Sequence, residues 1–168
     1  MEILVKNLSY PVLILLSLVL GLPSAGFAAP VNGARNFGLG IVLGEPTGLS
    51  AQYVLEKDRK LDFSLAYSFN SWVQITADYI FMRPQWVNSV LKRSSPVSAY
   101  WGAGLLLGVV TDSKKDGDLG FALRIPFGLE GMLDMEPIGF FVELVPGMEL
   151  APSTDFIFQG GLGARYYF

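Results

Sequence analysis

Residues 155–168 read Asp-Phe-Ile-Phe-Gln-Gly-Gly-Leu-Gly-Ala-Arg-Tyr-Tyr-Phe. Phe156, Phe158, Leu162, Ala164, Tyr166 and Phe168 share one parity with Gly160, and Gln159, Gly161, Gly163 and Arg165 take most of the other. Side chains that alternate in this way belong to a β-strand with one apolar and one polar face. The same period runs through Phe37, Leu39, Ile41 and Leu43 against Asn36, Gly38 and Gly40, and through Leu61, Phe63, Leu65 and Tyr67 against Asp62, Ser64 and Ser68. About eight such runs divide the chain, near residues 35–44, 49–56, 61–68, 72–81, 97–108, 119–132, 138–150 and 155–168. Between them lie turn-forming stretches such as Gly44-Glu45-Pro46-Thr47-Gly48, Lys57-Asp58-Arg59-Lys60 and Phe69-Asn70-Ser71. Pro126 and Pro146 fall inside two runs, where each removes a ladder donor; a bulge or a local edge is expected there, and a bulge would flip the facing of everything beyond it.

Which face meets water decides the class. The chain is 51% hydrophobic and 16% charged, with mean hydropathy +0.43, too apolar for disorder or for an ordinary soluble surface. The polar face is the narrow one, built of Gly, Ser, Asn and Gln with about one charge per strand, as in Gln74, Thr76 and Asp78 or Arg124 and Glu130. Aromatic residues gather toward strand ends at Tyr67, Trp72, Tyr79, Phe81, Trp101, Tyr166 and Phe168, the levels at which they sit in a membrane interface. The expected fold is therefore all-β: an eight-stranded antiparallel up-and-down transmembrane barrel with a filled lumen. A soluble periplasmic barrel that holds lipid inside is the inverse arrangement, and the less favoured one.

The run Gln159 to Phe168 resembles the terminal strand of the small eight-stranded outer-membrane barrels of the OmpA and OmpX type. Leu43 to Ser50 and Val142 to Gly147 look more like a subset of such barrels with no assigned activity. The resemblance implies the fold, a place in the outer membrane of a Gram-negative bacterium, and two partners: outer-membrane lipid and the outer-membrane assembly machinery. Tyr166 and Phe168 look like the signal that machinery reads. The likeness carries over no other functional residue and no extracellular partner.

Residues 1–28 read as an export signal. Lys6 gives a positive flank, Pro11 to Leu22 is apolar except for Ser17, and Gly26 and Ala28 are the small residues before a cut. The apolar stretch is short of the roughly 20 residues a spanning helix needs, so residues 29–168 are expected as one mature barrel domain.

With no Cys and no His, thiol nucleophiles, disulfides, the usual zinc ligand sets and His-dependent acid or base catalysis are excluded. No base stands at motif spacing from Ser50, Ser64 or Ser98, and six strand residues hold Glu143 and Glu149 roughly 20 Å apart, too far for paired carboxyl chemistry. The stretch 112–118 begins like a calcium loop, but Lys114 stands at its third position and Leu123 at its twelfth. Gly38, Gly40 and Gly44 lack nucleotide-loop spacing. Neither enzyme, cofactor nor metal is expected, and 12 basic against 15 acidic residues, net charge −3, argues against nucleic acid.

Two features are left. In the connector 82–96, Trp86, Val87, Val90 and Leu91 recur at helical spacing beside Arg83, Lys92 and Arg93, so a short amphipathic helix on the inner leaflet is expected. Asp78, Arg124, Glu143 and Arg165 are the expected structural charges of the lumen. Summing registers across the turns at 133–137 and 151–154 puts 124 opposite 143 or 145, and 143 opposite 161 or 163, with Glu143 between the two arginines. A structural or surface-contact role is expected, through connectors 44–48, 69–71, 109–118 and 151–154. A narrow pore past Asp78, Arg124 and Glu143 is the alternative, and a soluble periplasmic lipid carrier the second.

Overall fold

The computed structural model describes residues 35–68, 72–91, 97–110, 119–133 and 136–168; the export segment, the connector 111–118 and the tip 69–71 fall outside them. Strands β1 (Phe37–Glu45), β2 (Thr47–Glu56), β3 (Arg59–Ser68), β4 (Trp72–Arg83), β5 (Val97–Val110), β6 (Leu119–Arg124), β7 (Phe127–Met132), β8 (Ile138–Ala151) and β9 (Asp155–Tyr167) are joined by one described helix, α1 (Pro84–Leu91). Strands β1 to β5 pair antiparallel in sequence order, β6 and β7 each pair with β5 and with β8, β8 pairs with β9, and β9 returns to β1. Because β6 and β7 both bridge β5 and β8, they form one stave, and the sheet closes into a ring of eight. The unbroken strands run from 9 to 14 residues, against the roughly 9–11 that a tilted strand needs to cross a bilayer.

Of the two interruptions expected at the prolines, the stave shows a local gap in the ladder and no bulge. Arg124 pairs with Gly147 and Phe127 with Leu144 in one continuous register, as do Gly104 with Arg124 and Trp101 with Phe127 on the other side. Ile125 N–H donates to the Pro146 carbonyl at 2.9 Å, and Gly102 N–H to the Pro126 carbonyl at 2.8 Å. In each pair the reciprocal bond is missing because proline has no N–H. Two adjacent half-made pairs split the stave without slipping it, so Arg124, Pro126 and Glu130 all stay buried on one parity. The true register shifts lie at Val54/Glu56 and Phe121/Ala122. Pro146→Val restores a donor to the Ile125 carbonyl and should raise stability by about 0.5–1.5 kcal/mol, read as a higher urea midpoint in detergent micelles; an unchanged or lower midpoint would contradict this account of the gap.

Facing follows parity. On β5, Leu106 is 1% exposed while Leu105 and Leu107 are 46% and 59% exposed. Ile41, Leu49, Phe63, Leu123, Phe140, Val142, Phe158 and Leu162 likewise point out of the ring, and Gln52, Asp62, Gln74, Thr76, Asp78, Arg124, Gln159 and Arg165 are buried within it. A soluble barrel places these classes the other way round. One end carries Phe37, Tyr167, the turn at 57–58, Met132, Ile138 and helix α1, and is called proximal below; the distal end carries the turns at 46 and 152–154 and the strand ends Ser68, Val110 and Leu119.

Candidate functional site

Among the described residues, buried charged side chains converge in the polar interior. Their strands deliver them from even positions on β1 to β7 and odd positions on β8 and β9, and the small residues between them, such as Gly40, Ser50 and Gly163, leave room for long side chains. Two groups form.

The proximal group centres on Arg165. Its Nε donates to Ser50 Oγ at 2.9 Å, its Nη2 meets Asp62 Oδ2 at 3.0 Å, and its Nη1 lies 3.7 Å from Glu130 Oε2. The guanidinium also covers the Phe141 ring, 3.9 Å from the centroid. Glu130 is further held by Lys60 and by Gln52 Nε2 at 3.1 Å, and Tyr167 donates its hydroxyl to Gln52 Oε1 at 2.8 Å. Two cations thus face two carboxylates.

The second group centres on Arg124. Its Nε lies 3.1 Å from Asp78 Oδ1, too misaligned for a hydrogen bond, and its Nη2 is 4.0 Å from Glu143 Oε1. Nη1 donates to Gln159 Oε1 at 3.4 Å, Gln159 Nε2 to Gln74 Oε1 at 3.1 Å, and the Tyr100 hydroxyl to Glu143 Oε2 at 3.2 Å. Here one cation faces two carboxylates. The space left among Ser64, Thr76, Asp78 and the two arginines is about 20 Å³, the scale of a single water molecule.

Asp78, Arg124, Glu143 and Arg165 all turn into the ring, but not as the triad expected from register sums. Glu143 pairs opposite Gly161 as summed, whereas Arg124 lies opposite Gly147 instead of 143 or 145. Leu133 N–H closes the turn onto the Ile138 carbonyl at 3.0 Å, which moves the centre of that hairpin toward β8. Arg165 then finds Asp62 and Glu130, and Glu143 stays with Arg124. Asp62 and Glu130, which the alternation places on the polar face, complete the network with Lys60 and Gln52, which stand on the same inward parity and could have been found by it.

Tyr166 and Phe168 sit outside the ring at the proximal rim. Phe168 N–H donates to the Phe37 carbonyl at 2.8 Å, and its ring lies 6.4 Å from Phe37 and 5.0 Å from Tyr166. Glu149 is buried on the inner face of β8, which also carries the partly buried Glu143, and the stretch 112–118 falls outside the described residues. Among the described residues, no group of three or more acidic side chains is placed to hold a metal ion.

The fold is similar to the crystal structure of the N-terminal beta-barrel domain of Pseudomonas aeruginosa OprF, with a TM-score of 0.61 and 17% identity over 82% of this chain and 100% of that one. At the level of fold this is an OmpA-like barrel. No curated protein matches the sequence. A family model, in contrast, matches residues 31–166, and the chain belongs to the family it describes, Protein of unknown function (DUF3996).

Proposed function

We propose that the protein is an integral outer-membrane barrel of a Gram-negative envelope, exported by residues 1–28 and acting as a structural or surface-contact element without catalysis. The observation that carries this reading is the inverted wall, with large apolar side chains outside and a charged, hydrogen-bonded interior. An exposed apolar band of this extent needs lipid against it, since soluble proteins rarely expose more than a few hundred Å² of contiguous apolar surface. The OprF barrel domain lends support at the level of fold. The small space beside the arginines favours a role outside the lumen over solute passage. Surface contact would fall to the connectors 44–48, 69–71, 109–118 and 151–154, of which the third has Asp112, Lys114, Lys115, Asp116 and Asp118 in its sequence. Tyr166 and Phe168 are proposed as the residues that the assembly machinery reads.

Fractionation of expressing cells tests this reading. The processed chain should sediment with the outer membrane and migrate differently on gels before and after heating. The chain lacking Phe168 should accumulate poorly in that form, beyond the about 1.5–3 kcal/mol that one aromatic side chain contributes by burial. Processed wild-type protein in the soluble periplasm would overturn the membrane assignment, and equal folded accumulation of both chains would remove the assembly role of Phe168.

A further inference from the structure

Helix α1 leaves β4 directly after Arg83, at the proximal rim, and packs against β5. Ala99, at an outward position of β5 and paired with Arg83, is only 9% exposed. Val87 and Asn88 are partly covered, whereas Trp86 and Val90, one helical turn apart, are 50% and 78% exposed. Residues four apart lie on one face of a helix, so these two make a continuous apolar stripe. Gln85 and Ser89 form the neighbouring polar stripe.

Beneath the helix the outer wall carries an aromatic ladder. Phe81 lies 5.0 Å from Tyr79 edge to face and 4.9 Å from Trp101 in a stacked pair, and the Arg83 guanidinium lies 5.8 Å from the Phe81 centroid. Aromatic rings with a cation above them mark the level of lipid headgroups on a barrel wall. The helix begins two residues beyond Met82 and therefore starts at that level. In the sequence it is followed by Lys92 and Arg93, which suit lipid phosphates.

We propose that α1 is a lateral membrane anchor: it lies in the periplasmic leaflet's headgroup region, with Trp86 and Val90 inserted toward the acyl chains and Arg83 facing phosphate. The assignment rests on the outer-membrane reading above. It continues the apolar exterior of the barrel onto the connector, so that this long proximal connector helps to set the depth and tilt of the barrel instead of hanging in the periplasm.

The chain has three tryptophans, which allows the two layers of the proposal to be read separately. One variant keeps Trp86 alone (Trp72→Phe with Trp101→Phe) and a second keeps Trp101 alone (Trp72→Phe with Trp86→Phe). Both are folded into vesicles of phosphatidylethanolamine and phosphatidylglycerol, and heat-dependent gel mobility verifies folding. With phospholipids brominated at shallow or deep chain positions, Trp86 should show blue-shifted emission quenched more by shallow than by deep bromines and little by aqueous iodide. Trp101 quenched by bromine, with Trp86 quenched only by iodide, would overturn the anchor and leave the barrel in the membrane. Trp86 shielded from both quenchers would also overturn it, in favour of a protein contact such as a second copy. Loss of bromine quenching at both positions would overturn the membrane reading itself.

Discussion

Arg165→Met is expected to destabilise the barrel by about 3–5 kcal/mol, as removing one partner of a buried ion pair does, and to lower the urea midpoint in detergent micelles accordingly. Arg165 serves Ser50, Asp62, Glu130 and the Phe141 ring at once, and only 3% of its side chain is exposed. Glu130 keeps Lys60 and Gln52 after the substitution. The stranded group is Asp62, whose other oxygen already lacks a hydrogen-bond partner. Adding Asp62→Asn should therefore restore much of the loss, because the uncompensated charge goes with it. In the exposed pair Arg59–Glu56, 3.8 Å apart, Glu56→Gln should leave the midpoint where it was. Equal midpoints for Arg165→Met and Glu56→Gln would contradict the lumen network.

Gly40→Ala is expected to fail at a different point, the closure of the ring. Gly40 stands between Ser50 on β2 and Arg165 on β9. A Cβ there would run into the Ala164 carbonyl and the Arg165 Cα, both backbone atoms of the strand that closes the sheet. Overpacking against side chains costs about 1–3 kcal/mol; a backbone neighbour can yield only by opening the β1–β9 ladder, so the cost should reach or exceed that range. Gly38→Ala gives the comparison, since the atoms nearest its Cβ belong to the Tyr167 side-chain ring and not to backbone. Little heat-modifiable protein should form from Gly40→Ala, and a substantial fraction from Gly38→Ala. Wild-type yields of folded Gly40→Ala would contradict the packing described for this seam.

Both expectations concern contacts that the sequence only half discloses. Parity along 155–168 is enough to send Arg165 inward and Phe158 outward, because each strand reports its own two faces. The hairpin at 151–154 is short, and Glu143 opposite Gly161 follows by counting. Counting fails at 133–137, where the bond from Leu133 to Ile138 moves the turn and with it the partner of Arg124. It is blind to Asp62 and Arg165, which meet across the lumen from β3 and β9, strands separated by β2 and β1. Only closure of the ring brings them together. The prolines leave both a bulge and a local edge open in the sequence; Pro126 and Pro146 each forfeit one bond, yet neighbours on both sides hold the register, so nothing flips. The helical spacing of Trp86, Val87, Val90 and Leu91, by contrast, is local, and α1 forms within the connector that carries it.

The most direct measurement of the inverted wall uses a chain with no native cysteine. Single nitroxide labels at Leu105→Cys, Leu106→Cys and Leu107→Cys, in protein folded into vesicles, report collisions with apolar oxygen and with a water-soluble nickel complex. Labels at 105 and 107 should be open to oxygen and closed to nickel, and the label at 106 should be sheltered from oxygen and poorly mobile, giving a period of two. Nickel access at 105 and 107, with 106 the most oxygen-exposed, would mean that the apolar face turns inward and would contradict the membrane barrel.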